Sequence, residues 1–206
     1  MLPTSALTPI LTLALLAGGK GERLGGADKG LLQRHGQTLV AALLAQFSPQ
    51  ASRSLVLINR HLPAYQQAAQ AYGAEVLCDD SPFQGPLPAM LTALQACHDS
   101  NQHWLLLLPA DAWALPPDLL ARLWQSCQQQ SAPAAFAAAR GQAHPVICLL
   151  RCDLQTQLRN ALAAGVNSPW RWLQQLGASC CDIDVDDRGW SLNTFDELML
   201  AGVSDA

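Results

Sequence analysis

Short apolar runs without alternation, each closed by glycine or polar residues, take turns along this chain with stretches whose apolar residues recur every three or four positions. The runs at residues 10–16 and 55–58 predict buried strands, the first buried on both faces, and those at 75–78 and 104–108 predict two more strands. Further strands are expected at 134–139, 146–150 and 183–185. Between them, Leu39, Val40, Leu43, Leu44 and Phe47 mark an amphipathic helix that Pro49 ends. Residues 64–72 form a Gln-rich helix ended by Gly73. Another helix runs from Pro86 to about His98, since proline is tolerated in a first turn. Pro116-Pro117-Asp118 opens a helix with Leu119, Leu120, Leu123 and Trp124 on one face. Residues 153–164 and 169–176 follow, and Asn193 or Thr194 caps a last helix through Met199. Strands alternating with helices predict an α/β fold: a doubly wound, mostly parallel sheet in one domain over 1–206, with 1–9 a short tail.

In such sheets ligands bind beyond the carboxyl ends of strands. The polar clusters of this chain fall at those ends: Gly18-Gly19, Asn59-Arg60, Asp79-Asp80 and Asp111. The first is the richest. Leu13 to Lys29 reads L-A-L-L-A-G-G-K-G-E-R-L-G-G-A-D-K, a buried strand that delivers a glycine-rich basic loop. Glycines let main-chain N–H groups approach phosphate oxygens, and Lys20, Arg23 and Lys29 supply positive charge. The chain has ten arginines and two lysines, and both lysines lie in this loop. A compact ammonium retained here suits point-charge contact with phosphate. The order of residues is neither G-x-x-x-x-G-K-[ST] nor G-x-G-x-x-G, which excludes the ATPase and dinucleotide loops.

Composition narrows the class. Half the 206 residues are apolar and 14% charged, which supports a substantial core and argues against disorder. A net charge of −4 with no basic stripe speaks against a nucleic-acid partner. Seven cysteines without a C-x-x-C pair are expected to be free thiols in a reducing cytosol. The first 17 residues lack a basic n-region, and no apolar stretch approaches the ~20 residues of a membrane span. The expected location is cytoplasmic.

L-A-G-G-K-G-E-R-L-G-G-A-D-K-G resembles the signature of the molybdenum cofactor guanylyltransferases, within the nucleotidyltransferases that share L-A-[GA]-G-x-x-x-R-[LM]-G-x-x-K. The resemblance covers nearly the whole chain and implies a Rossmann-like nucleotidyltransferase fold. Gly19 resembles the guanylyl form, where cytidylyl relatives usually carry L-A-A-G. Asp80, followed by Ser81 and Gly85-Pro86-Leu87, stands at the family's nucleotide-binding Asp. His144-Pro145 is similar to an H-P pair placed before an acceptor-side strand. Leu192-Asn193-Thr194-Phe195-Asp196-Glu197-Leu198 is similar to the closing N-x-N-T-P-E-[DE]-L. The departures are Ala112-Trp113 after Asp111, Asn167 for a common Arg, Ser191 and Phe195 in the closing motif, and Leu57 ahead of Asn59-Arg60. The donor half is matched better than the acceptor half.

Asp111 follows Leu105-Leu106-Leu107-Leu108-Pro109 and one alanine, so its carboxylate sits half sheltered at a strand tip. A bound triphosphate needs a divalent cation, and Mg²⁺ (or Mn²⁺) takes one or two carboxylates plus phosphate oxygens. Asp111 is the expected metal ligand. Leu16, Ala17, Gly18, Gly19, Lys29, Asn59, Asp80 and Asp111 are the expected nucleotide contacts, and Lys29, Arg23 and Asp111 the catalytic set. Asp80 can serve either the guanine N1–H and N2–H₂ edge or the ribose. Asp79 is a turn residue or part of the same site. Gly85-Pro86-Leu87 favours an anion or simply packs. His144 and Asn193 are acceptor candidates, each with a structural alternative as a packed histidine or a helix cap.

The resemblance implies transfer of GMP from GTP to molybdopterin or its molybdenum-bound form, giving the guanine dinucleotide cofactor and pyrophosphate. It also implies a monomer that meets molybdenum-insertion and molybdoenzyme-maturation proteins, with no membrane partner. Two alternatives stay open: cytidylyl or sugar-phosphate nucleotidyl transfer on the same fold, and a non-catalytic nucleotide- or pterin-binding relative.

Overall fold

A computed structural model describes residues 10–17, 28–78, 85–100, 103–184, 190 and 203–204. The central strand is β1 (Leu11–Ala17), fully apolar apart from Thr12. It pairs in parallel with β4 (Arg53–Ile58) on one side and with β6 (Trp104–Pro109) on the other. β5 (Glu75–Cys78) extends the sheet beyond β4. Beyond β6 lie β8 (Gln142–Arg151), β7 (Ala134–Ala139) and β9 (Ser179–Asp182), so the order is β5-β4-β1-β6-β8-β7-β9. β8 runs antiparallel to both β6 and β7, and the other pairings are parallel.

Both faces are covered, which is why the strands read as unbroken apolar runs. In β6, Leu106 and Leu108 join one core with α1 (Leu39–Phe47), α2 (Leu62–Gln70) and α4 (Leu119–Gln130). Leu105 and Leu107 face the other core, with α3 (Pro86–Asp99), α5 (Gln155–Ala163) and α6 (Pro169–Gln175). Thr38 caps α1 by accepting a hydrogen bond from the Ala41 N–H at 3.3 Å. Ser168 caps α6 in the same way, from Arg171.

Three local expectations are corrected. The strand expected at 146–150 is longer, because Pro145 is accommodated rather than excluded: the register jumps from Phe136↔Cys148 to Ala137↔His144, an irregularity at which a proline costs no ladder bond. The strand expected at 183–185 lies earlier, as β9. Its residues alternate buried and exposed at the sheet edge, so it lacks the apolar run of a central strand. Ile183 follows it, its N–H donating to the Ala138 carbonyl at 2.8 Å, and Val185 is outside the described residues. A hairpin of β2 (Gln33–Arg34) and β3 (Gln37–Thr38) was not expected at all. His35 and Gly36 turn it with φ of 52° and 77°, the left-handed pair that a two-residue hairpin needs. A short β10 (Val203–Ser204) pairs with β2. The expected helix through Met199 lies outside the described residues.

The thiols also differ from expectation. Cys97 of α3 and Cys152, just after β8, form a disulfide with their Cα atoms 5.7 Å apart, while Cys78, Cys127, Cys148, Cys180 and Cys181 are free. Spacing could not reveal a pair separated by 55 positions that meets only after α3 packs on the sheet. Among the described residues, no helix is long and apolar enough to cross a membrane.

Candidate nucleotide-binding site

β1 and β6 are neighbouring parallel strands whose onward connections lead to opposite ends of the sheet, β1 toward β4 and β5, β6 toward β7 and β8. Their carboxyl ends therefore flank the switch-point crevice of a doubly wound fold. The Ala110 N–H donates to the Leu16 carbonyl at 2.9 Å and stitches the two ends together. Leu16, Ala17, Ala110 and Asp111 form one wall of a cavity of about 110 Å³, and Asp28, Lys29 and Gly30 close the other.

The second wall is the returning end of the glycine loop. Lys29–Leu31 make a single 3₁₀ turn, with the Leu31 N–H donating to the Asp28 carbonyl at 3.0 Å. The turn aims Lys29 across the cavity, where Nζ lies 3.1 Å from Asp111 Oδ2. Both side chains keep a minority of their surface in solvent, 21% and 15%, so the pair is reachable by a ligand.

The Asp28 carboxylate reaches from the edge of the cavity toward Arg60 and α2. Its side chain is only 8% exposed, and Oδ2 lies 3.6 Å from Arg60 Nε. Its Oδ1 accepts a hydrogen bond from the hydroxyl of Tyr65, a fully buried residue of α2. Burial first, and the Asp28 charge second, push the Tyr65 phenol far above its ordinary range, so it stays a proton donor. Gly30 lies directly beneath that ring: a Cβ there would come within 2.6 Å of the Tyr65 hydroxyl and 3.2 Å of the Ala110 Cβ.

Asp111, Lys29, Leu16 and Ala17 thus line one cavity. Asn59 follows β4 directly, and Ile58 is paired with Ala17, which puts Asn59 at the same edge of the sheet beside β1. His144 does not line the cavity. Its ring packs edge-on against buried Trp190, with centroids 4.9 Å apart. Gly18, Gly19, Arg23, Asp80 and Asn193 lie outside the described residues. Trp113, one of the departures after Asp111, stacks under the Arg34 guanidinium of the β2–β3 hairpin at 4.3 Å from the ring centroid.

Asp28, Tyr65 and Gly30 were missed, and so was the use of Arg60. The one available signal was Tyr65, an aromatic residue in an otherwise polar helix, whose buried hydroxyl needs a partner. Among the described residues no three His, Cys, Asp or Glu side chains gather into a metal cluster. Among the described residues, Asp111 is the carboxylate that faces the cavity with its charge within reach, which suits a cation shared with phosphate oxygens rather than one caged by protein.

Comparison with known proteins identifies the family and the fold. A sequence model of the MobA-like NTP transferase domain matches residues 13–180. A molybdenum cofactor guanylyltransferase from Acidovorax sp. (strain JS42) is 34% identical, with 91% of this chain and 93% of that protein covered. The crystal structure of molybdopterin-guanine dinucleotide biosynthesis protein A from Archaeoglobus fulgidus superposes with a TM-score of 0.69 at 19% identity, over 93% of this chain and 96% of that one. A Mycobacterium tuberculosis protein crystallised as a manganese complex superposes with a TM-score of 0.67 at 14% identity, covering 93% and 97%. By that match over residues 13–180, the chain belongs to the family of MobA-like NTP transferase domains.

Proposed function

We propose that this protein transfers GMP from GTP to the terminal phosphate of molybdopterin, or of its molybdenum-bound form, releasing pyrophosphate. The family match and the guanylyltransferase relatives support the reaction class. The observation that carries the site assignment is the meeting of Lys29 and Asp111 at the mouth of the β1–β6 crevice, 3.1 Å apart.

The acceptor is already an anionic phosphate, so no strong base is required. The work is to position two polyanions and neutralise their charge. Lys29 leaves Asp111 for the triphosphate, and the main chain of Gly18-Gly19 with Arg23 completes the anion cradle. Asp111 would hold Mg²⁺, with Mn²⁺ a substitute, and a bound ion would supply charge neutralisation for the triphosphate. Asp80 and Asn59 contact the nucleoside, and His144 and Asn193 serve the acceptor side. The protein acts in the cytoplasm as a monomer.

The deciding experiment measures pyrophosphate release by purified protein with GTP, Mg²⁺ and molybdopterin. Release that requires all three supports the reading. Equal turnover with CTP would move the assignment to cytidylyl transfer, and nucleotide binding without release would make the chain a binding relative.

A further inference from the structure

We infer that Asp28, Tyr65 and Arg60 form a buried clamp that positions Lys29 for the triphosphate. The inference rests on the functional reading above for what Lys29 does, but not for where Lys29 is held.

Burying a carboxylate is costly unless it is paired and hydrogen-bonded. Asp28 is buried to all but 8% of its side chain, and both of its oxygens meet groups from elsewhere in the chain. Tyr65 comes from α2 and Arg60 from the turn after β4, so the clamp ties the end of the glycine loop to two rigid elements. Asp28 is also the residue whose carbonyl accepts the Leu31 N–H, the bond that closes the Lys29 turn. Fixing its side chain therefore fixes the base of the lysine. A free lysine loses rotamer entropy when it is ordered. A fixed turn lowers the part of that cost that falls at binding.

Charge adds a second argument. Asp28 lines the same cavity as Lys29, and a bare carboxylate there would repel phosphate. Arg60 and the Tyr65 hydroxyl offset that charge from behind, which leaves the ammonium of Lys29 to act on the ligand. Gly30 is the third argument. The chain passes so close to Tyr65 that a methyl at position 30 would come within 2.6 Å of the hydroxyl, too close for both to stay in place. The glycine after the lysine is thus explained by the clamp, not by φ.

The chain has two lysines, so protein labelled with ¹³C at lysine Cε gives two side-chain signals, and Lys29→Arg assigns them. The full-length protein is compared with Tyr65→Phe, Asp28→Asn, Gly30→Ala and the Gly30→Ala/Tyr65→Phe double variant, each checked for its fold by circular dichroism. The clamp predicts that Tyr65→Phe moves the Lys29 signal toward the narrow, mobile form and raises the GTP KM about tenfold, the effect of losing one hydrogen bond to a charged group, with kcat changed far less. Gly30→Ala should do the same by displacing the hydroxyl. The double variant should be no worse than Gly30→Ala alone, because both changes remove one contact. A Lys29 signal unmoved by Tyr65→Phe and by Asp28→Asn overturns the clamp, as does a double variant whose losses multiply. A Lys29 signal that moves in a protein whose GTP turnover is absent from the outset upholds the clamp and removes the guanylyl reading instead.

Discussion

Lys29 Nζ and Asp111 Oδ2 lie 3.1 Å apart although 82 positions separate them in the chain. One ends the glycine loop and the other ends β6, so the contact exists only because β1 and β6 are neighbours. On the proposed reading, their common edge is where a nucleotide would meet a cationic side chain and a metal ligand together. Lys29→Ala and Asp111→Asn should each lower GMP transfer by at least about a hundredfold, the scale for losing one transition-state charge contact. The pair is partly solvated, so unfolding should shift by about 1 kcal/mol or less. Steady-state kinetics beside urea titration check both halves. A loss of activity that tracks a loss of fold would remove the catalytic assignment.

Why these two residues were legible in the sequence, and Asp28 and Tyr65 were not, has a physical cause. Leu105 to Leu108 can only be a buried strand, and a carboxylate at its tip is marked by contrast. Lys29 is marked by the scarcity of lysine. Asp28 carries no such mark, since nothing local shows that α2 packs a phenol over it. The β2–β3 hairpin escaped because Gln33–Arg34 and Gln37–Thr38 carry no apolar alternation, and only His35-Gly36 encodes the turn. β9 was misplaced because an edge strand with small and polar residues leaves a weaker pattern than the apolar Ile183 after it. The Cys97–Cys152 contact depends on packing between α3 and the end of β8, which no spacing rule reports.

Arg53 forks onto Glu75 through Nε and Nη2, both at 2.8 Å, and reaches the Ala96 carbonyl at 2.7 Å, joining β4 to edge strand β5 and to α3. The hydrogen bonds from Arg53 pull the Glu75 carboxyl below its ordinary value of 4.5. A folded-state pKa below the unfolded one gives stability that is complete above the unfolded value and fades as pH falls through the folded one. Glu75→Gln should therefore lower the urea midpoint at pH 7 and leave it equal to the parent's once the pH is below the folded pKa. A difference that persists at that acidity would assign the effect to packing.

The Cys97–Cys152 bond closes a segment of 55 positions between two buried sulfurs. On a chain-entropy account, closing a loop of that length restricts the unfolded state by about 4 kcal/mol. Unfolding the protein without reductant in excess iodoacetamide should label the five free cysteines, and prior reduction should raise the count to seven. Cys152→Ser should lower the unfolding midpoint under oxidising conditions and match the reduced parent otherwise. Mass spectrometry gives the count, and seven labels without reductant would show the bond is not formed.

On the proposed reading of the site, the Lys29–Asp111 contact would set the order in which ligands assemble. A divalent cation arriving alone must displace the ammonium from the carboxylate and then leave it facing that cation. A cation arriving with triphosphate gives Lys29 a new anionic partner at the moment Asp111 is taken. The two ligands therefore bind with positive coupling, and by linkage each strengthens the other by the same factor. Mn²⁺ titrated into the protein and followed by electron paramagnetic resonance should bind weakly alone and at least about tenfold more tightly with GTP, beyond the affinity of free Mn²⁺ for GTP. Lys29→Ala should remove much of that coupling by raising the affinity for the bare cation, since the displaced competitor is gone. Chelation should abolish pyrophosphate release and leave the fold unchanged, because Lys29 closes back on Asp111 when the metal is withdrawn.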